Sequence, residues 1–156
     1  MLADLYVATH QALEAAGFEH YEVSSYARPG HRAVHNGLYW RGAEFLGLGV
    51  GAASFRLDAT GAGVREVNVR QTPRYLRGER IDETTTTPPA ELAIDRLWLG
   101  LRTRDGIAVD EVTAAGRGPI IDRLIDEGLL ERNDRIRPTL RGFLYNDRIG
   151  RLLVAG

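Results

Sequence analysis

The amino-acid sequence predicts an α+β chain in two parts: residues 1–82 mix helix and strand, and residues 88–156 are mainly helical. Apolar side chains in the first part switch between helical and strand-like spacing. Asp82–Pro89 is polar, threonine-rich and closed by two prolines, as a linker would be. Beyond it come three helical periods, a short hairpin and a closing helix, the order of a winged-helix-like module.

Each element has its own signal. Residues 3–16 read as a helix, with Leu5, Ala8, Thr9, Ala12, Leu13 and Ala16 facing inward and Gly17 as its stop. His20–Tyr26 reads as one strand, followed by a Pro29–Gly30 turn and a loop carrying His35–Trp40. Phe45–Phe55 is apolar and glycine-rich, which predicts a buried strand. Ala53–Leu57 and Val64–Val69 form a predicted hairpin around Thr60–Gly63, and a short helix falls within 71–89. In the second part, Ala90, Ala93, Ile94, Leu97, Trp98 and Leu101 mark a helix buried on one face. Val109–Ala115 and Gly118–Glu127 are the next two helices, with Gly116 and Gly128 as stops and Pro119 in the first turn. Leu129–Arg132 and Arg135–Pro138 flank Asn133–Asp134 as a hairpin. Thr139 caps a last helix that runs to about Leu153.

Composition excludes several function classes. Hydrophobic residues are 44% of the 156 and charged residues 26%, an ordinary globular balance. No run reaches the roughly 18 apolar residues of a membrane span. The first residues carry Asp4 and Glu14 with no basic segment ahead of an apolar run, so no signal peptide is read and a cytoplasmic location is expected. Cysteine is absent, which excludes disulfides, thiolate catalysis and an iron–sulfur cluster ligated by this chain. All 20 basic residues are arginine, yet the net charge is −1, against a general polyanion binder.

The densest group of useful side chains is His35-Asn36-Gly37-Leu38-Tyr39-Trp40. An imidazole beside two large rings suits a haem iron or a flat macrocycle, and equally suits two core anchors with a locally bonded histidine. Gly47, Gly49 and Gly51 formally match a dinucleotide fingerprint. That match is rejected, because the glycines are expected inside a strand and no helix follows. Alternating glycines in a strand leave one bare face for a ligand or for tight backbone packing. Glu22 is either an exposed strand residue or a contact to the polar part of a ligand. His10, His20 and His31 make no metal-ligand spacing with His35. Nucleic acid is disfavoured: Asp122, Arg123, Asp126 and Glu127 make the would-be reading helix acidic, although the wing carries Arg132, Arg135 and Arg137.

In this order and spacing, Glu22–Gly30 (EVSSYARPG), His35–Trp40 (HNGLYW) and Phe45–Ser54 (FLGLGVGAAS) resemble the oxygen-independent coproporphyrinogen III oxidase-like radical S-adenosylmethionine proteins. Within that HemW/HemN family the likeness is nearest the haem-chaperone branch. Leu97–Thr103, Asp105–Gly106 and Leu124–Leu130 resemble its C-terminal region more loosely. The sequence departs from the family at Ala53, where histidine is usual, and at Ser25, where asparagine is common.

The resemblance implies that residues 1–82 are the C-terminal remnant of a partial TIM-type barrel and that 88–156 are the family's C-terminal winged-helix-like domain. It implies a truncated chain lacking the half with the 4Fe–4S cluster and S-adenosylmethionine, inactive alone in radical chemistry. It makes His35 the candidate iron ligand, with Tyr39 and Trp40 as its neighbours; Asn36, Glu22, Gly47, Gly49 and Gly51 complete the candidate cofactor-binding residues read from the sequence. Haem or a porphyrin is the implied ligand. A protein carrying the missing barrel half, or a second copy, is the implied partner. The alternative expectation is a non-catalytic interaction module built on the winged-helix-like half, binding protein or, less readily, DNA.

Overall fold

The computed structural model describes residues 2–155 and is α+β, with short helices and three small antiparallel sheets. Two compact units form: one joins residues up to 41 with those from 93 onward, and the other is 42–92. This grouping differs from the sequence partition at 82–88, because the stretch read as a linker is a paired strand.

In the first unit, α1 (Leu2–Ala15) ends before Gly17, whose φ of +80° is the expected left-handed stop. Its inward face is a correction. Leu5, Ala8, Thr9 and Ala12 are exposed, while Tyr6, Val7, His10 and Leu13 turn inward. Alanines bury too little area to decide the face, and the rings of Tyr6 and His10 bury more. The single strand expected over His20–Tyr26 is instead a hairpin of β1 (Glu19–Glu22) and β2 (Ser25–Ala27). Glu22 Oε1 causes the turn locally by accepting from the Ser24 amide at 3.4 Å and its hydroxyl at 3.3 Å. The expected loop at HNGLYW is also corrected, since Val34–Trp40 is a helix, α2.

The second unit is built on a three-stranded sheet in the order β3 (Ala53–Leu57), β4 (Gly63–Asn68), β5 (Ile81–Thr87), with α3 (Thr72–Leu76) between the last two. The predicted hairpin is present, and Asp58 Oδ1 closes its turn by accepting from Thr60 N at 2.8 Å and Ala62 N at 3.1 Å. Two expectations fail here. The linker stretch is β5, where β-branched threonines sit opposite β4 from Thr84–Glu66 to Thr87–Gly63. Phe45–Phe55 is not one buried strand. Phe45 bridges Phe55, and a loop between them leaves Leu46 77% and Leu48 80% exposed.

The division between the units falls within α4 (Pro89–Gly100). The rest of the first unit is α5 (Val109–Ala114), α6 (Gly118–Asp126), the β6 (Leu130–Arg132)–β7 (Ile136–Pro138) hairpin, α7 (Leu140–Leu144) and α8 (Asn146–Ala155). Thr139 caps α7 as expected, its hydroxyl accepting from Gly142 N at 3.0 Å. The predicted single closing helix is split at Tyr145, whose φ of −106° and ψ of 23° leave the helical range. Leu97, Leu101, Ile121, Leu124, Ile136 and Ile149 anchor one apolar core. Gly150 lies under Trp98 so closely that a Cβ there would come within 2.5 Å of the indole.

Candidate functional site

α2 sorts the predicted site residues onto two faces. His35 and Tyr39 are four positions apart and therefore stacked on one side. The Tyr39 hydroxyl lies 2.9 Å from His35 Nε2, with the rings edge-on at a centroid separation of 4.9 Å. His35 is exposed, and so is Asn36. In the tautomer whose Nε2–H donates to the phenol oxygen, Nδ1 carries a lone pair toward solvent. That is the arrangement by which a neighbouring hydroxyl orients a metal-binding imidazole.

The other side of α2 faces a cavity. Val34, Gly37, Trp40 and Arg41 line it, together with α4 residues Arg96 and Gly100 and the 103–107 turn. Its volume is about 490 Å³, within the range of small-molecule sites. Trp40 is thus separated from His35: it forms wall, and its Nε1–H is buried without an acceptor among the described residues. Arg102 covers its ring at 4.7 Å.

Glu22, expected at the surface or on a ligand, is 2% exposed and makes the β1–β2 turn described above. Its strand is tied to the 102–104 segment by Val23 N to Arg102 O at 2.9 Å and Arg104 N to Tyr21 O at 3.0 Å. Glu22 is a structural carboxylate at this point of the fold.

Gly47, Gly49 and Gly51 belong to the other unit and sit in a loop, not inside a strand. Gly49 has φ +102° and Gly51 φ +69°, which side-chain-bearing residues rarely adopt. A Cβ on Gly47 would meet the Ala53 carbonyl oxygen at 2.1 Å. Close backbone packing therefore explains the glycines. Asn68, missed in the sequence, holds the loop by donating from Nδ2 to the carbonyls of Gly49 at 2.8 Å and Gly47 at 3.3 Å. An asparagine between valines of a strand was the available signal.

Sequence reasoning also missed a buried aromatic–imidazole cluster. His20 stacks on Tyr26 with ring centroids 4.4 Å apart and lies edge-on to His10 at 5.3 Å. The Tyr6 hydroxyl donates to Val23 O at 3.0 Å, and the Tyr26 hydroxyl is 3.3 Å from His10 Nδ1. Burial, more than the neighbouring His10 and Arg104 charges, holds the His20 imidazole below its ordinary range. Burial, with Tyr26 and Glu22 nearby, pushes the Tyr6 phenol up to about 12. Both groups are neutral at physiological pH, and the cluster reads as packing.

No family model matches the chain, and no solved structure matches it. Curated proteins do. The chain is 31% identical over 159 aligned residues to the heme chaperone HemW of Lactococcus lactis, covering 94% of this chain and 40% of that protein. It is 34% identical to the HemW of Mycobacterium tuberculosis, over 99% of this chain and 40% of that protein. It is 31% identical to the mitochondrial radical S-adenosyl methionine domain-containing protein 1 of Mus musculus, over 69% of this chain and 26% of that protein. The chain is thus of the radical S-adenosylmethionine class. Within that class it belongs to the HemW family, and it spans two fifths or less of the length of these relatives.

The residues present do not fit a thiolate-held iron–sulfur cluster, since the chain has no cysteine. Among the described residues no group of three histidine or acidic side chains is placed to hold a metal ion. Haem asks less of a chain, because one imidazole can hold its iron. His35 supplies an accessible, oriented nitrogen of that kind.

Proposed function

We infer that this chain handles haem or a related porphyrin, binding it at the exposed face of α2 and passing it on. The observation that carries this reading is the His35–Tyr39 pair at 2.9 Å, presented to solvent within HNGLYW in a chain of the HemW family. Bound there, haem would supply its own iron chemistry. The chain's part would be to offer the His35 nitrogen and to orient the imidazole through Tyr39. Cytoplasmic work fits this role, and among the described residues no helix is long and apolar enough to cross a membrane. The first part, 1–82, is then the end of a barrel whose remaining half, carrying the cluster and S-adenosylmethionine, belongs to a partner or a longer protein. With that half supplied, the same residues would form the substrate side of a coproporphyrinogen III oxidase-like site.

A second reading takes 88–156 as a winged-helix-like interaction module. Helix order and the β6–β7 hairpin favour it. Its wing is poorly suited to DNA, because Arg132 is paired with Asp122 at 2.6 Å and Arg135 donates to the carbonyls of Asp105 and Gly106. Arg137 is paired with Asp134 at 2.5 Å, and its guanidinium holds that carboxyl down at about 2. Protein is the better partner for such a surface.

A haemin titration followed in the Soret region tests the first reading. Saturable binding of one haem per chain, much weakened by His35→Ala, is the expected result. The same weak, non-saturating response from both proteins would leave the interaction module as the better account.

A further inference from the structure

The cavity on the inner side of α2 has a chemistry of its own. Two carboxylates reach it, and both are already engaged. Asp105 accepts from Arg32 at 3.0 Å, and Glu111 Oε2 accepts from the Ala108 amide at 2.6 Å, closing the first turn of α5. Two of its four arginines are engaged as well: Arg32 bridges Asp105 and Glu19, and Arg135 donates to two backbone carbonyls. What is left without a protein partner among the described residues is the guanidinium of Arg41 and the guanidinium of Arg96, while the indole N–H of Trp40 is buried behind the cavity wall. Both guanidinium groups are donors. A ligand that satisfies them must be rich in acceptors and negatively charged, and paired guanidinium forks match carboxylates bidentately.

The walls say what the rest of the ligand is. Tyr21, Val34, Trp40 and Ile107 present apolar surface, and Gly37 and Gly100 add no side chain to it. Flat surface of this kind favours a flat aromatic body, which gains contact area at little entropic cost. His35 takes no part, since it lies on the opposite face of α2. We propose that this cavity is a second ligand site, taking a planar aromatic carboxylate whose acid groups are held by Arg41 and Arg96, with no metal ligand involved. The choice of probe, though not the geometry, rests on the reading of the chain as a porphyrin-handling protein.

Iron-free protoporphyrin separates the two sites, because it keeps the propionates and has no iron for His35 to bind. Its fluorescence anisotropy would be titrated with the purified chain, with the Arg41→Gln/Arg96→Gln variant and with His35→Ala. The same titration would be run with the dimethyl ester of the porphyrin. Both arginines are exposed, so glutamine should leave the fold intact, and far-ultraviolet circular dichroism checks this. The expected result is binding weakened on the order of tenfold or more by the double substitution and by esterification, with His35→Ala close to wild type. The proposal is overturned if wild type fails to bind, if the double variant or the ester binds as tightly, or if His35→Ala removes the interaction. Arginine-dependent binding of the iron-free porphyrin, alongside haemin binding indifferent to His35, would keep this site and remove the His35 reading. The converse result would do the opposite.

Discussion

At His20 the residue's chemistry and its place in the fold pull against each other. The ring is 1% exposed, stacked on Tyr26 and packed near Phe143, and its Nδ1 is buried without a partner among the described residues. Unfolded, it titrates near ~6.5, and folded it titrates lower. Between those values the unfolded chain binds more protons, so stability is full above about 6.5 and falls as the pH drops below it. Urea midpoints measured from pH 7.5 down to pH 5 should therefore decline in the wild type. His20→Phe keeps the stacking and removes the proton, so its decline should be shallower, with little change at pH 7.5. The groups around His20 are Tyr6 and His10 of α1, Tyr26 of β2 and the Arg104 charge. None of this cluster was legible as a unit, because Tyr6, His10, His20 and Tyr26 are spread over 20 positions, Arg104 and Phe143 lie far beyond them, and only the fold joins them. The pairing of His35 with Tyr39, four residues away, was not foreseen, because HNGLYW was read as a loop and the pairing needs a helix. The aromatic cluster of HNGLYW hid an ordinary helical period.

Among the elements, those with one dominant period were read well and those with competing signals were not. α4 and α6 follow their apolar spacing, with Leu97, Leu101, Ile121 and Leu124 buried as expected. The β3–β4 hairpin was visible from its alternation and its turn. β5 was not, because Ile81–Thr87 is nearly all exposed and a sheet edge needs no apolar face. The break at Tyr145 was also hidden, since the residues around it suit a helix. Its reason is Asn146, which begins α8 inside the core. Asn146 Nδ2 donates to Leu101 O at 2.9 Å, while its Oδ1 accepts from Trp98 Nε1 at 3.3 Å and from Arg102 at 3.4 Å. The side chain therefore joins α8 to the end of α4 and the two residues after it through three bonds, the one to Leu101 O fully buried and the other two partly so. Asn146→Ala strands two donors and a carbonyl, and should cost about 2–4 kcal/mol, counting a buried unmet group at ~1–3 kcal/mol. Asn146→Asp keeps both acceptor bonds and loses only the donor to Leu101. A chemical denaturation series should rank wild type above Asp and Asp above Ala at neutral pH. Equal midpoints for wild type and Ala would remove this link from the account.

For the whole molecule, the sequence made the class and the family legible and obscured the division of the chain. Three motifs in fixed order carried the resemblance, and similarity to HemW proteins over 94% and 99% of the chain bears it out. Composition suggested a boundary at Asp82–Pro89, whereas packing groups 42–92 as one unit and returns the chain to the first unit within α4. A threonine-rich stretch looks like a linker until a neighbouring strand is there to pair with it. The absence of cysteine was informative at this scale, because no iron–sulfur cluster can be held by thiolates of this chain. What it offers is an imidazole at the surface paired with Tyr39 and a cavity with two arginines that have no protein partner among the described residues.

The most direct measurement of the central claim is electron paramagnetic resonance of the ferric haem complex in wild type, in His35→Ala, and in His35→Ala with added imidazole. The account predicts a histidine-type axial ligand signature in wild type, its loss in the variant, and its return with free imidazole. An unchanged signature in His35→Ala would show that another group holds the iron and would contradict the assignment of α2 as the haem-binding element.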